Sequence, residues 1–355
     1  QTRLPLVAAG RMGRIEKMSR VLGENLAGLI ALGRPLIADP NLLEKWQKEA
    51  FEEVNACGYC LQGCLHRVKN GEPIGCNINP EIGEDEMEKT DRPLRVLVAG
   101  GGPAGMSAAL YLSRRGHQVT LMEKEDRLGG QFNLAWQAPG KQSMQDGLVH
   151  LDAGVKANCA SVIFGQKVDA AAVKEIAPDL LVWSVGAEQN IPEIDGLDTQ
   201  NTLTSIDYFR GKPVSGPRVL VIGAGRTGLE IAEKLGAEGF EVTATKRTDP
   251  IGSMMEMITR KLTLMRVGQM PNVTLMPHTT VKAFSAEGVE VSQDGETIHL
   301  SPFQTVVLAS GMVSAADPDD SIEAAVPTIE KIGDAANVMD IYTAVHAGYE
   351  LALRY

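Results

Sequence analysis

The sequence predicts an α/β chain built on two Rossmann-like nucleotide-binding folds in tandem, and three observations carry that prediction. A strand, a glycine loop, a helix and a second strand occur in that order twice, from Arg95 and again from Arg218. Glycine, at 37 of 355 residues, exceeds its usual share of roughly 7%, and the surplus sits in those loops. Four of the five cysteines crowd into residues 57–76, ahead of both units. A length of 355 residues fits two to three domains at about 150 residues each. With 44% hydrophobic and 22% charged residues, the chain is not a disordered one. A net charge of −11 argues against a nucleic-acid partner, which would need a surplus of Lys and Arg. No apolar run reaches the roughly 20 residues of a membrane helix.

Taken in order, residues 1–45 read as an apolar strand (4–9), a helical stretch ending near Gly23 and a second strand (26–32), broken by Gly33-Arg34-Pro35. Such a strand–helix–strand unit is too small to bury both faces of its sheet. Residues 46–90 hold the cysteine block and an acidic hinge. The first nucleotide fold is expected over 91–210, interrupted by a second over 211–312 and completed by 313–355. The chain opens on Gln1 with neither an initiator Met nor a signal-peptide pattern, so it reads as a piece of a longer cytoplasmic protein, or as a subunit completed by a partner.

In the first loop, Gly100-x-Gly102-Pro103-Ala104-Gly105 leaves a buried-type strand and opens a helix. The first glycine permits the turn, the second lets backbone approach a pyrophosphate, and the third lets helix and strand pack closely. The helix start offers free N–H groups to the anion. Glu123 ends the next strand, where an acid accepts from ribose hydroxyls, and Lys124 follows it. The second loop, Gly223-x-Gly225-Arg226-Thr227-Gly228, has the same context, but Lys246 and Arg247 stand where the acid should be. Cations there favour a 2′-phosphate, hence NADPH over NADH. The plainer readings are glycines that serve packing alone and cations that are merely solvated, with NADH or only an ADP group bound.

The cysteine spacing is Cys57-x2-Cys60-x3-Cys64-x11-Cys76. Clustered cysteines in an acidic chain without a secretory signal suggest a metal site rather than disulfides. Three close cysteines and one distant one suit a [4Fe–4S] cluster better than the paired knuckles of a zinc site. His66 reads as a neighbour rather than a ligand, and Cys159 as a small buried apolar residue. Neither nucleotide fold contains a CxxC, so electrons leaving a flavin would exit through the cysteine block.

Further segments resemble flavoenzyme motifs. Arg127-Leu-Gly-Gly130-Gln131 resembles the glycine pair that lies along FAD, the stretch ending at Gly186 resembles a crossover between FAD and NADPH domains, and Gly333-Asp334 resembles the motif whose Asp meets the ribityl chain. The order of features is similar to that of the C-terminal half of multidomain NADH:flavin oxidoreductases, the family of 2,4-dienoyl-CoA reductase, 2-enoate reductase and trimethylamine dehydrogenase. The resemblance implies that residues 1–45 are the last two strands of a truncated TIM barrel, with Gly10, Arg11, Gly33 and Arg34 cradling an FMN phosphate. It also implies electron flow from NADPH through FAD and the cluster to FMN, then to an activated C=C bond of an enoyl-type substrate. That flow needs no protein acid or base at the flavin, so no catalytic side chain is assigned. Other readings stay open: amine oxidation of trimethylamine-dehydrogenase type with an ADP-only second site, a zinc-stapled interaction module, and an electron-feeding subunit like the small subunit of glutamate synthase.

Overall fold

The computed structural model describes residues 4–248 and 250–355. The opening residues 1–3 of the expected first block lie outside the described residues. The chain divides into two units, one of residues 1–136, 141–186 and 314–355, the other of 137–140 and 187–313.

The first unit is organised by a five-stranded parallel sheet in the order Ile329–Lys331, Leu180–Trp183, Arg95–Ala99, Gln118–Glu123, Ser161–Phe164. Its central strands are continuous apolar runs because helices cover both faces, and Val96, Leu97, Val98 and Ala99 are all buried. The helix Pro103–Arg114 follows the first glycine loop, with proline in its first turn, where no backbone partner for an N–H is needed. Against it lies the closing helix Ile341–Arg354, N-capped by Asp340, whose carboxylate accepts from Thr343 N. The approach is close enough that a Cβ on Gly348 would stand 2.5 Å from Ala108 N. Ser107 Oγ donates to Val345 O at 2.6 Å across the same seam.

The second unit repeats the plan. Its parallel sheet runs Val273–Met276, Glu241–Thr245, Arg218–Ile222, Thr305–Leu308, Thr202–Thr204, with the glycine-loop strand again central. A three-stranded antiparallel sheet, Thr279–Ser285, Gly288–Gln293 and Glu296–Leu300, is added to it. Residues 187–210, expected in the first fold, belong here instead. The reason is pairing: Thr202–Thr204 lies parallel to Thr305–Leu308, which ties the segment into the second sheet.

The expected barrel strands take the form of one parallel pair, Val7–Ala9 with Leu29–Ala31, joined by the helix Ile15–Gly23. Both strands are shorter than their apolar runs, and Leu6, Val7, Leu26 and Leu29 are exposed. A lone pair gives those side chains nothing to pack against. Among the described residues no helix is long and apolar enough to cross a membrane.

Candidate functional site

Gly100 turns the chain out of its strand at φ +100°, and a Cβ on Gly105 would lie 1.9 Å from Gly100 O. The second loop has the same geometry: Gly223 sits at φ +104°, and a Cβ on Gly228 would lie 1.9 Å from Gly223 O. In each loop only the middle glycine faces open space. A Cβ on Gly102 would meet nothing within 4 Å, and one on Gly225 only Ser253 Oγ at 3.9 Å. Two glycines are therefore demanded by the protein itself, whereas the third leaves room for a group from outside. That is the division of roles a pyrophosphate cradle needs.

Around the first cradle the structure gathers several residues singled out in the sequence. Gly101 N donates to Glu123 Oε2 at 2.6 Å and Glu125 N to Glu123 Oε1 at 2.8 Å. Glu123 is buried, and each carboxylate oxygen keeps a lone pair for a hydroxyl. A Cβ on Gly130 would stand 3.1 Å from Gly102 Cα, so the second glycine turn abuts the first. One on Gly333 would stand 2.6 Å from Ala104 Cβ, which seats the Gly333–Ala335 turn against the start of the cradle helix. Asp334 Oδ1 accepts from Met339 N at 3.0 Å, and burial raises the carboxyl's pKa. Gln131, next after Gly130, is half-buried, Gly186 O accepts from Ala315 N at the chain crossing, and Lys124 and Arg127 are exposed. The fit to a flavin dinucleotide rests on the open face of Gly102 with a buried carboxylate beside it.

In the second unit, Lys246 and Arg247 follow the strand Glu241–Thr245, which pairs directly with the glycine-loop strand. Both cations therefore stand beside Gly223, Lys246 half-buried and Arg247 exposed. Arg226 caps the opposite side of the loop by donating to Met254 O, and Thr227 follows it in the first turn of the helix Arg226–Ala237.

Cys57, Cys60, Cys64 and Cys76 are free thiols lining one pocket with Tyr59, Asn77 and Met144. Glycines bring the loops together. A Cβ on Gly63 would stand 2.6 Å from Cys76 C and 2.7 Å from Asn77 N, and Gly75 N donates to Gly63 O at 2.8 Å. Tyr59 and Leu61 both take left-handed backbone, at φ +53° and +64°. Each costs about 1–3 kcal/mol in a non-glycine residue, strain that collects at functional sites. The backbone N–H groups of Tyr59, of Gln62, and of Ile78, Asn79 and Asn77 favour the thiolate forms of Cys57, Cys60 and Cys76 respectively, against the effect of burial. A concavity of N–H groups aimed at sulfur suits an anionic iron–sulfur cluster.

The four sulfurs line this pocket without converging on a single point, and a cubane, which takes one thiolate per iron, asks for no such convergence. Among the described residues no three His, Cys, Asp or Glu side chains could hold one metal ion. Burial, and then the neighbouring sulfurs, push the Cys57 thiol up to about 11 and, with the sulfurs, the Cys60 thiol up to about 12. Burial likewise raises Cys76. His66 is exposed and pairs with Asn70, while Cys159 is half-buried and accepts from Ser113 Oγ at 3.5 Å.

Tyr59 also ties the first block to this pocket. The Arg11 and Arg34 guanidiniums lie 5.4 and 5.3 Å from its ring centre, and its hydroxyl accepts from Gly13 N at 2.9 Å. Gly10 and Gly33 flank those arginines in the loops after the two strands. The sequence singles out the arginines and misses the tyrosine that gathers them. It also misses Tyr342 and His346, which are stacked at 3.8 Å, with His346 Nε2 3.0 Å from Cys76 O.

A family model described as pyridine nucleotide-disulphide oxidoreductase matches residues 94–348. Among curated proteins, an NADH oxidase of Thermoanaerobacter brockii is 31% identical over 98% of this chain and 55% of its own length. A cinnamate reductase of Clostridium sporogenes is 28% identical over 98% of this chain and 53% of its own. A solved 2-naphthoyl-CoA reductase complex superposes with a TM-score of 0.92 at 28% identity, over 99% of this chain and 54% of that one. The chain thus spans about half the length of the relatives it matches.

Proposed function

Because the chain belongs to the pyridine nucleotide-disulphide oxidoreductase family and corresponds to the C-terminal part of 2-enoate-reductase-like multidomain proteins, we propose that it is the electron-input module of such an enzyme. NADPH binds at Gly223, Gly225 and Gly228 with its 2′-phosphate on Lys246 and Arg247, and gives hydride to FAD held at Gly100, Gly102, Gly105, Glu123 and Asp334. A [4Fe–4S] cluster on Cys57, Cys60, Cys64 and Cys76 takes the electrons singly, and FMN, its phosphate on Arg11 and Arg34, receives them. Relatives named for cinnamate and for 2-naphthoyl-CoA support an unsaturated acyl compound as the final acceptor.

The observation that carries this reading is the duplicated cradle, each with one glycine facing open space, in a chain whose cysteines share a pocket within the first unit. Hydride acceptance and splitting into single electrons belong to the bound groups, while the protein supplies placement and electrostatics. Anaerobic purification followed by mixing with NADPH tests it. About four irons and four sulfides per chain, flavin bleaching, and then an EPR signal from the reduced cluster are expected. Zinc without iron would replace the reading with an interaction module. Iron and flavin present without bleaching would favour amine oxidation with an ADP-only second site.

A further inference from the structure

The cluster reading above supplies the ground for a finer assignment. We propose that His346 is a positioning residue for the fourth cysteine, setting the cluster's reduction potential through the Cys76–Asn77 peptide.

His346 stands on the closing helix Ile341–Arg354, with Nε2 3.0 Å from Cys76 O. A carbonyl oxygen only accepts, so Nε2 carries the hydrogen of this bond. The imidazole is held in place from the side by Tyr342, stacked at 3.8 Å and 23°. Tyr342 is itself pinned: the Arg67 guanidinium lies 4.9 Å from its ring centre, and a Cβ on Gly75 would meet its hydroxyl at 2.9 Å.

The carbonyl that His346 holds shares a rigid plane with the N–H of Asn77. In a trans peptide the two groups point in opposite directions, so fixing one aims the other. The Asn77 N–H follows the fourth cysteine directly and, after those of Ile78 and Asn79, is one of three backbone N–H groups that favour the Cys76 thiolate. The same peptide is backed by Gly63, where a Cβ would stand 2.6 Å from Cys76 C and 2.7 Å from Asn77 N. One plane is therefore clamped between a glycine of the ligand loop and a histidine of the closing helix. Hydrogen bonds to cluster sulfur favour the more negative, reduced state. Release of the carbonyl frees the plane to rotate, weakens the N–H···S bond and makes the cluster harder to reduce.

The test is an EPR-monitored redox titration of the anaerobically purified chain, alongside His346→Leu, His346→Gln and Tyr342→Leu. His346→Leu is expected to shift the oxidised-to-reduced ratio about tenfold toward oxidised at a fixed ambient potential, a fall of 59 mV for one electron. His346→Gln, whose amide N–H reaches the carbonyl, should stay within about threefold of wild type. Tyr342→Leu should move in the leucine direction by a smaller factor, because the imidazole remains but loses its support. A wild-type midpoint and line shape in an iron-replete His346→Leu overturns the proposal, as does a glutamine variant that shifts as far as leucine. If the leucine variant loses its iron, the other two decide. Glutamine at wild type with Tyr342→Leu shifted supports the role, and both at wild type overturn it. A wild-type chain without iron and sulfide would instead overturn the cluster reading itself, and this assignment with it. Flavin bleaching by NADPH should not change in any variant.

Discussion

Replacement of Gly63 by alanine should prevent cluster assembly while leaving flavin binding intact. The new Cβ would fall 2.6 Å from Cys76 C, 2.7 Å from Asn77 N and 2.8 Å from Cys76 Cα, all backbone atoms with no rotamer to escape into. Ordinary contact begins near 3.4 Å, so the two ligand loops must separate by more than half an ångström. Overpacking of this kind costs about 1–3 kcal/mol. The Gly75 N to Gly63 O bond, 2.8 Å long, would be stretched beyond use. Its loss removes about 0.5–1.5 kcal/mol more. A total near 2–4 kcal/mol against the closed loops lowers their population about thirty- to several-hundred-fold at 1.4 kcal/mol per decade. Iron, sulfide and FAD content per chain are the assay, with Gly23→Ala as control, since a Cβ there meets nothing within 4 Å. Full iron content with an unshifted midpoint in the Gly63 variant would refute the reasoning.

Other substitutions separate the remaining sites. Gly102→Ala meets no protein atom, so thermal stability should hold while FAD affinity falls about ten- to hundredfold from a Cβ against the pyrophosphate, as flavin titration would show. Gly225→Ala should raise the KM for NADPH by a similar factor with flavin content unchanged. Lys246→Ala with Arg247→Ala should cost NADPH tenfold or more and leave NADH untouched, at about 1.5–3 kcal/mol for a charged hydrogen bond. Burial, then the charges of Lys45 and Arg114, push His150 down to about 4, well below its ordinary 6.5. A depressed histidine contributes stability that is complete above 6.5 and lost as pH falls toward the folded value. Unfolding free energies from urea titration should therefore drop between pH 6.5 and 4 by up to roughly 3 kcal/mol, a drop that His150→Leu would flatten.

Local chemistry made much of this legible in the sequence. Glycine spacing, a following helix and the residue at the next strand's end are near neighbours along the chain, and both strand–glycine turn–helix units form where those signals place them. What escaped was decided by distant partners. Residues 187–210 join the second unit through Thr202–Thr204, and nothing local announces pairing with a strand a hundred residues on. The first two apolar runs predict longer strands than Val7–Ala9 and Leu29–Ala31, because hydrophobicity signals burial and each strand has only one neighbour to give it. Tyr59, Tyr342 and His346 carried no motif. Tyr59 takes its meaning from Arg11, Arg34 and Gly13, and the other two from stacking and a single carbonyl, contacts that exist only once distant segments have docked.

That docking has a consequence for biosynthesis. The strand Ile329–Lys331 and the helix Ile341–Arg354 complete a sheet whose other strands left the ribosome far earlier, with the second unit translated in between. At about 5–20 residues per second, the first cradle waits many seconds, half-built, with the apolar face of Pro103–Arg114 uncovered. A stop codon that removed residues 341–355 would forfeit the first cradle and spare the second.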